Sequence, residues 1–225
     1  MIKFDDVSKK FPLGNIALSD ASFEIEDEEF VFLVGPSGAG KTTILKLILR
    51  QLEPTTGTVI INNFDLSAKN FNQVEDLRKT IGIVFQDFKI LPDKNVFENI
   101  ALGLKILGFG EKEITDETKK ALELVNLAGK ENLFPAQLSA GELQRVAIAR
   151  AIAGNRHIIL ADEPTGNLDP KTSWDIMKIF KKIEGKQTII FATHNSDIVN
   201  SLQRRVIVLK EGKMVKDAKK GGYDL

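Results

Sequence analysis

The 225-residue sequence contains no cysteine. That excludes a disulfide framework, a thiolate metal site and a cysteine nucleophile, and it fits a reducing compartment. Net charge is also missing, since 31 Lys and Arg face 31 Asp and Glu. A whole-surface attraction to nucleic acid is therefore not expected. Long apolar runs are absent too. The longest are Phe30 to Val34 and Ile100 to Phe109, the second broken by Lys105. Neither approaches the ~18–20 apolar residues that a bilayer span needs. The opening MIKFDDVSKK has no hydrophobic signal core. The expectation is a cytosolic chain whose membrane contact is peripheral or runs through a partner. What is present is ordinary for a folded domain: 43% apolar and 28% charged residues, which excludes disordered, collagenous and fibrous classes. The length fits one domain, or one domain with an inserted subdomain.

Strand and helix patterns alternate at both ends of the chain. Ile2, Phe4 and Val7 read as an edge strand, and Ala21 to Ile25 as a second strand followed by an acidic turn up to Glu29. Phe30 to Val34 is a short continuous apolar run ending in Gly-Pro-Ser-Gly, which predicts a buried strand entering a loop. Ile44, Leu45, Ile48 and Leu49 lie on one face of the helix that follows. Further strands are expected at Thr58 to Ile61, Ile81 to Phe85, Ile158 to Ala161, Thr188 to Ala192 and Val206 to Leu209, with helices at Trp174 to Ile183 and near Ile198 to Leu202. From about Asn95 to Gly154 the pattern is helical, and Thr115 reads as the cap of one of these helices. This predicts an α/β fold with a largely parallel core sheet. The division expected is a core of residues 1–88 and 156–225, with a helical insertion at 89–155.

Three segments carry chemistry. Gly35, Pro36, Ser37, Gly38, Ala39, Gly40, Lys41 and Thr42 match G-x-x-x-x-G-K-[ST] between a strand and a helix, the context of a P-loop. Glycines let successive N–H groups curl around phosphate oxygens, and the helix aims its positive end at the anion. Lys41 can reach the β- and γ-phosphates, and the Thr42 hydroxyl can ligate Mg²⁺. His157 to Glu163 is an apolar strand ending in two carboxylates, at the sheet edge where ligands bind. Asp162 would hold Mg²⁺ through water, and Glu163 could act as general base toward a water molecule. Leu138-Ser-Ala-Gly-Glu142 opens a helix, with Ser139 and Glu142 at capping-box spacing. Its N–H groups could serve as a cap and as a second anion site.

Taken in order, these segments resemble those of the ABC-type ATPases, over nearly the whole chain. The resemblance makes Gly35 to Thr42 the Walker A loop, Leu138 to Glu142 the signature, Asp162 the end of Walker B and Glu163 the catalytic glutamate. It places Gln86 in the Q-loop, Asn167-Leu-Asp169 in the D-loop and His194 as the switch histidine, with Phe11 stacking on adenine and Thr43 beside the phosphates. The fold implied is a mostly parallel core sheet with an antiparallel N-terminal β portion and an inserted helical subdomain. ATP and Mg²⁺ are the implied cofactors, with Thr42, Gln86 and Asp162 around the metal. Two copies should sandwich two ATP molecules. Lys41, Thr42, Gln86, Asp162, Glu163 and His194 of one copy would then face Ser139, Gly141 and Glu142 of the other, with Asp169 linking the sites. Ala140 replaces the usual first signature glycine, and Phe11 the commoner tyrosine.

A finer resemblance lies in Phe85 to Lys94 and Val96 to Asn99, which are similar to the bacterial cell-division ATP-binding proteins. It implies a permease-like integral membrane partner, division-machinery proteins around it and no nucleic acid. The lipoprotein-releasing and macrolide-type exporters are the alternative, sharing Asp162 to Asp169. Phe88, Ile90, Leu91 and Pro92 would touch the membrane partner or anchor the helical insertion. His157 and Trp174 read as structural. Lys210, Lys213, Lys216, Lys219 and Lys220 could attract anionic lipid, but Glu211 and Asp217 interrupt them, and a solvated strand and tail is the preferred reading.

Overall fold

Strand β1 (Ile2–Lys10) turns back into β2 (Ile16–Ile25), and the two pair antiparallel. After the acidic turn, β3 (Phe30–Val34) leads into α1 (Lys41–Ile48). β4 (Thr56–Ile61), the two-residue β5 (Phe64–Asp65) and α2 (Val74–Lys79) precede β6 (Ile81–Val84). Three helices intervene, α3 (Val96–Ile106), α4 (Glu111–Leu124) and α5 (Ala140–Ile152). The sheet resumes with β7 (Ile158–Asp162), followed by α6 (Pro170–Ile183), β8 (Thr188–Thr193), α7 (Ser196–Leu202), β9 (Arg205–Lys210) and β10 (Lys213–Ala218). This computed structural model describes residues 1–12 and 14–223.

All ten strands form one sheet in the order β5-β4-β1-β2-β10-β9-β3-β8-β7-β6. The five strands at its β6 end, β9-β3-β8-β7-β6, run parallel, whereas β1, β2, β4 and β5 pair antiparallel. The continuous apolar strands follow from burial on both faces. Phe30, Phe32 and Val34 of β3 join Ile189 and Phe191 of β8 in a core shared with α3–α7. Val31 and Leu33 point the other way, with Ile190 and Ala192, into a core shared with α1 and the N-terminal strands. Side-chain alternation along a strand thus divides one apolar sequence between two cores.

Parallel pairing also builds the site. Val34 lies opposite Thr193, Ala192 opposite Asp162, and Ala161 opposite Val84. The chain therefore leaves β3, β6, β7 and β8 at the same edge, just before Gly35, Gln86, Glu163 and His194.

Two expectations need correction. β1 is not an edge strand. It lies between β2 and β4, and β5 is the edge, because the antiparallel return of β4 pairs with its free side. Thr115 is not a cap, because α4 starts earlier. Glu113 reaches back to the Gly110 N–H at 2.9 Å, and Thr115 Oγ1 donates to the Glu111 carbonyl one turn below. β5, α2 and the full length of β2 were not foreseen.

Candidate active site

The loop between β3 and α1 is shaped by backbone that side chains would block. Gly35 has φ +151°, and a Cβ there would sit 2.3 Å from the Leu209 carbonyl oxygen. Gly40 has φ +109°, and its Cβ would meet the Ala17 oxygen at 2.7 Å. Gly40 also occupies the N-cap of α1 with no side-chain cap bond, so the first N–H groups of the helix remain available to an anion. Lys41 is 7% exposed. Its Nζ donates to the Gly35 oxygen at 2.7 Å and the Pro36 oxygen at 3.2 Å, and lies 3.4 Å from Glu163 Oε1. The cation is thus folded back on its own loop and paired with the carboxylate across the cleft.

Asp162 ends β7 and accepts a hydrogen bond from Thr42 Oγ1 at 3.2 Å. Burial pushes its carboxyl above the usual carboxylate range, and the Thr42 bond offsets this only in part. Glu163 has φ +48°, in the left-handed region. Its N–H donates to the Ala192 oxygen at 2.9 Å. Its Oε2 lies 2.9 Å from His194 Nδ1 and accepts the His194 backbone N–H at 3.3 Å. Gln86 Nε2 donates to Asn167 Oδ1 at 3.1 Å, and Asn167 Nδ2 returns a bond to the Gln86 oxygen at 3.2 Å. Beyond Gln86, Phe88 and Lys89 are both left-handed, and Arg150 of α5 donates to both of their carbonyls.

Pro36 to Thr43, Gln86, Asp162, Glu163 and His194 line one cavity of about 610 Å³. Tyr223 lines it as well. No motif marks this residue, which follows β10. Burial, and then the charge of Glu163, push its phenol upward. Phe11 is not in that lining. It sits in the β1–β2 turn, with Lys9 Nζ 5.5 Å above its ring.

The other sequence-selected residues line a second cavity of about 540 Å³, which shares no residue with the first. Ser139 caps α5, and Glu142 reaches back to the Ser139 N–H at 2.8 Å. Lys130, together with the Ser139 N–H and hydroxyl, lowers the Glu142 carboxyl to about 2. Gly141 packs directly on α6, where a Cβ would stand 2.5 Å from Thr172 Cγ2. Asp169 caps α6 through the Thr172 N–H at 3.0 Å, and the Thr172 bonds lower its carboxyl. Ala140 is exposed and lines the same cavity.

Residues 18–166 match the family model described as ABC transporter. The cell division ATP-binding protein FtsE of Bacillus subtilis (strain 168) is 46% identical over 224 residues, covering 99% of this chain and 98% of that protein. FtsE of Mycobacterium tuberculosis (strain ATCC 25618 / H37Rv) is 43% identical over 227 residues, covering 100% and 99%. A dimeric ATP-binding cassette solved in a post-hydrolysis state with ADP and Pi matches with a TM-score of 0.87 at 36% identity, covering 99% of this chain and 100% of that one.

Proposed function

The chain belongs to the ABC transporter family and is an ATP-hydrolysing enzyme of that type, and we propose that it serves bacterial cell division as the peripheral ATPase subunit of a membrane complex whose permease resembles FtsX. Residues 1–88 and 156–225 would form the nucleotide-binding core, and 89–155 the helical signature subdomain. The observation that carries the mechanism is that the Gly-rich loop residues and the Ser139 to Glu142 residues line two cavities with no common residue, which we read as half-sites. Two copies arranged head to tail would complete both. Ser139 and Gly141 of one copy would then meet the phosphates held by Lys41 and Thr42 of the other.

Nucleotide phosphates would draw Lys41 from the Gly35 and Pro36 carbonyls and from Glu163, whose carboxylate is then free to take a proton. The attacking water oxygen bonds to the γ-phosphorus, its proton passes to Glu163, and the bond to the β-phosphate oxygen of ADP breaks. His194, already on Glu163, would orient the carboxylate and face the γ-phosphate. Lys41 and the N-terminal amides of α1 would stabilise the charge that develops on the transferred group. Mg²⁺ fits at Asp162, a half-buried carboxylate whose desolvation the Thr42 bond only partly offsets. Thr42, Asp162 and Gln86 would hold it, and when bound it neutralises phosphate charge.

Hydrolysis would remove the phosphate bridge and let the pair open. Leu91, Leu102 and Ile106 are exposed apolar side chains, the last two one turn apart on α3. They would present the loop after Gln86 to the permease, which would pass the movement across the membrane to activate cell-wall hydrolases. No helix among the described residues is long and apolar enough to cross a membrane. The test is purification of tagged Glu163→Gln chain from native membranes with ATP and Mg²⁺, with partners identified by mass spectrometry. Recovery of an FtsX-like permease supports the division role. Recovery of a lipoprotein-releasing or macrolide-type permease instead refutes it.

A further inference from the structure

Gln144 is fully buried, one turn into α5 from the cap at Ser139. Its Oε1 has no hydrogen-bond partner. An unsatisfied buried acceptor is destabilising. The other end of the amide has a partner: Nε2 donates to the Pro164 carbonyl at 2.6 Å.

That carbonyl needs a partner from outside its own turn. The Glu163 oxygen accepts the Gly166 N–H at 3.0 Å, which closes a turn with Pro164 and Thr165 at its centre. The carbonyl between the two central residues of such a turn takes no part in the closing bond. Glu163 itself is left-handed, a conformation that a non-glycine residue keeps only where its surroundings fix it. Ala192 holds the Glu163 N–H on one side, and on the other the turn is tied to α5 through Gln144.

We propose that Gln144 is a positioning residue for ATP hydrolysis, tethering the Pro164 turn to the signature helix so that the Glu163 carboxylate stays in register with the attacking water. The N-terminus of that same helix carries Ser139 and Gly141. A tilt of α5 as it meets the partner copy's nucleotide is therefore passed to the carboxylate of its own chain. The inference rests on Glu163 being the base.

The test compares full-length Gln144→Leu and Gln144→Met with wild type, reading kcat and KM for Mg-ATP, nucleotide affinity by titration, and Tm. The expected result is a fall in kcat of about tenfold or more, since small misplacements of a reacting group cost heavily. Nucleotide affinity stays within about twofold, and Tm stays close to that of wild type, because loss of the orphaned Oε1 is offset by the Pro164 carbonyl left without its donor. A kcat within about twofold of wild type overturns the proposal. So does a loss of Tm or of fold in both variants, which would make the amide a packing element. Glu163→Gln is measured in parallel. If it retains turnover, the base assignment fails. If it is inactive while both Gln144 variants turn over normally, only the tether fails.

Discussion

Replacing Gly141 by alanine isolates the contact between α5 and α6. The added Cβ would lie 2.5 Å from Thr172 Cγ2, well inside van der Waals contact. Thr172 cannot rotate away freely, because its hydroxyl is bonded to Asp169 and its N–H is held at the cap of α6. Overpacking of this kind typically costs about 1–3 kcal/mol, against a helix-propensity gain of at most about 1 kcal/mol from Gly to Ala. The expected net loss is about 1–2 kcal/mol, which for a chain of this size lowers Tm by roughly 2–8 °C. Thr172→Ser removes Cγ2 and keeps the hydroxyl. In the double variant the clash is gone and the propensity gain remains, so Tm should return to the wild-type value or pass it. Thermal melts of the four chains close a double-mutant cycle. The reasoning is refuted if Gly141→Ala alone melts with wild type, or if Thr172→Ser fails to recover the loss.

Lys41→Ala removes the one ammonium among the described residues that line the Pro36 to Thr43 cavity, and takes the cation from Glu163. ATP affinity should fall by about tenfold or more, the scale of one lost charge-assisted contact, as read by nucleotide titration; an unchanged curve sinks the assignment. Glu142, lowered in the folded chain to about 2, should make wild type acid-sensitive. Its contribution is fully present above the unfolded carboxylate pKa of about 4.3 and is lost as pH falls through the folded value. Denaturant midpoints of wild type and Glu142→Gln should therefore converge between about pH 4.5 and 2, whereas a constant gap across that window would remove the linkage.

The chemistry was most legible where it is local. The loop between β3 and α1 could be read because its glycines, lysine and threonine are consecutive, and the strand before it and the helix after it are set by adjacent residues. The Ser139–Glu142 cap was legible for the same reason, being one turn of one helix. What failed depends on distant chain. β1 looks like an edge strand until β4 returns beside it, and nothing near Ile2 says so. Thr115 lost the cap because Glu113 can reach the Gly110 N–H directly. Gln144 is an unremarkable polar residue until α5 packs on the Pro164 turn, and Tyr223 enters the cavity only because the chain after β10 returns to α7 at Asn200.

The two cavities also set a kinetic order. If one cavity takes the phosphates and the other presents the capped helix α5 to a partner copy, an isolated copy of the chain would hold no completed centre. Under the head-to-tail reading, specific activity in dilute solution should rise with protein concentration until pairing saturates. A membrane complex that holds two copies side by side replaces bulk concentration by a local one, in the millimolar range for short connections. The permease would then act on rate without contributing any group to the chemistry. Copies that have not been assembled would stay nearly silent, which would confine ATP consumption to the place where the movement can be used.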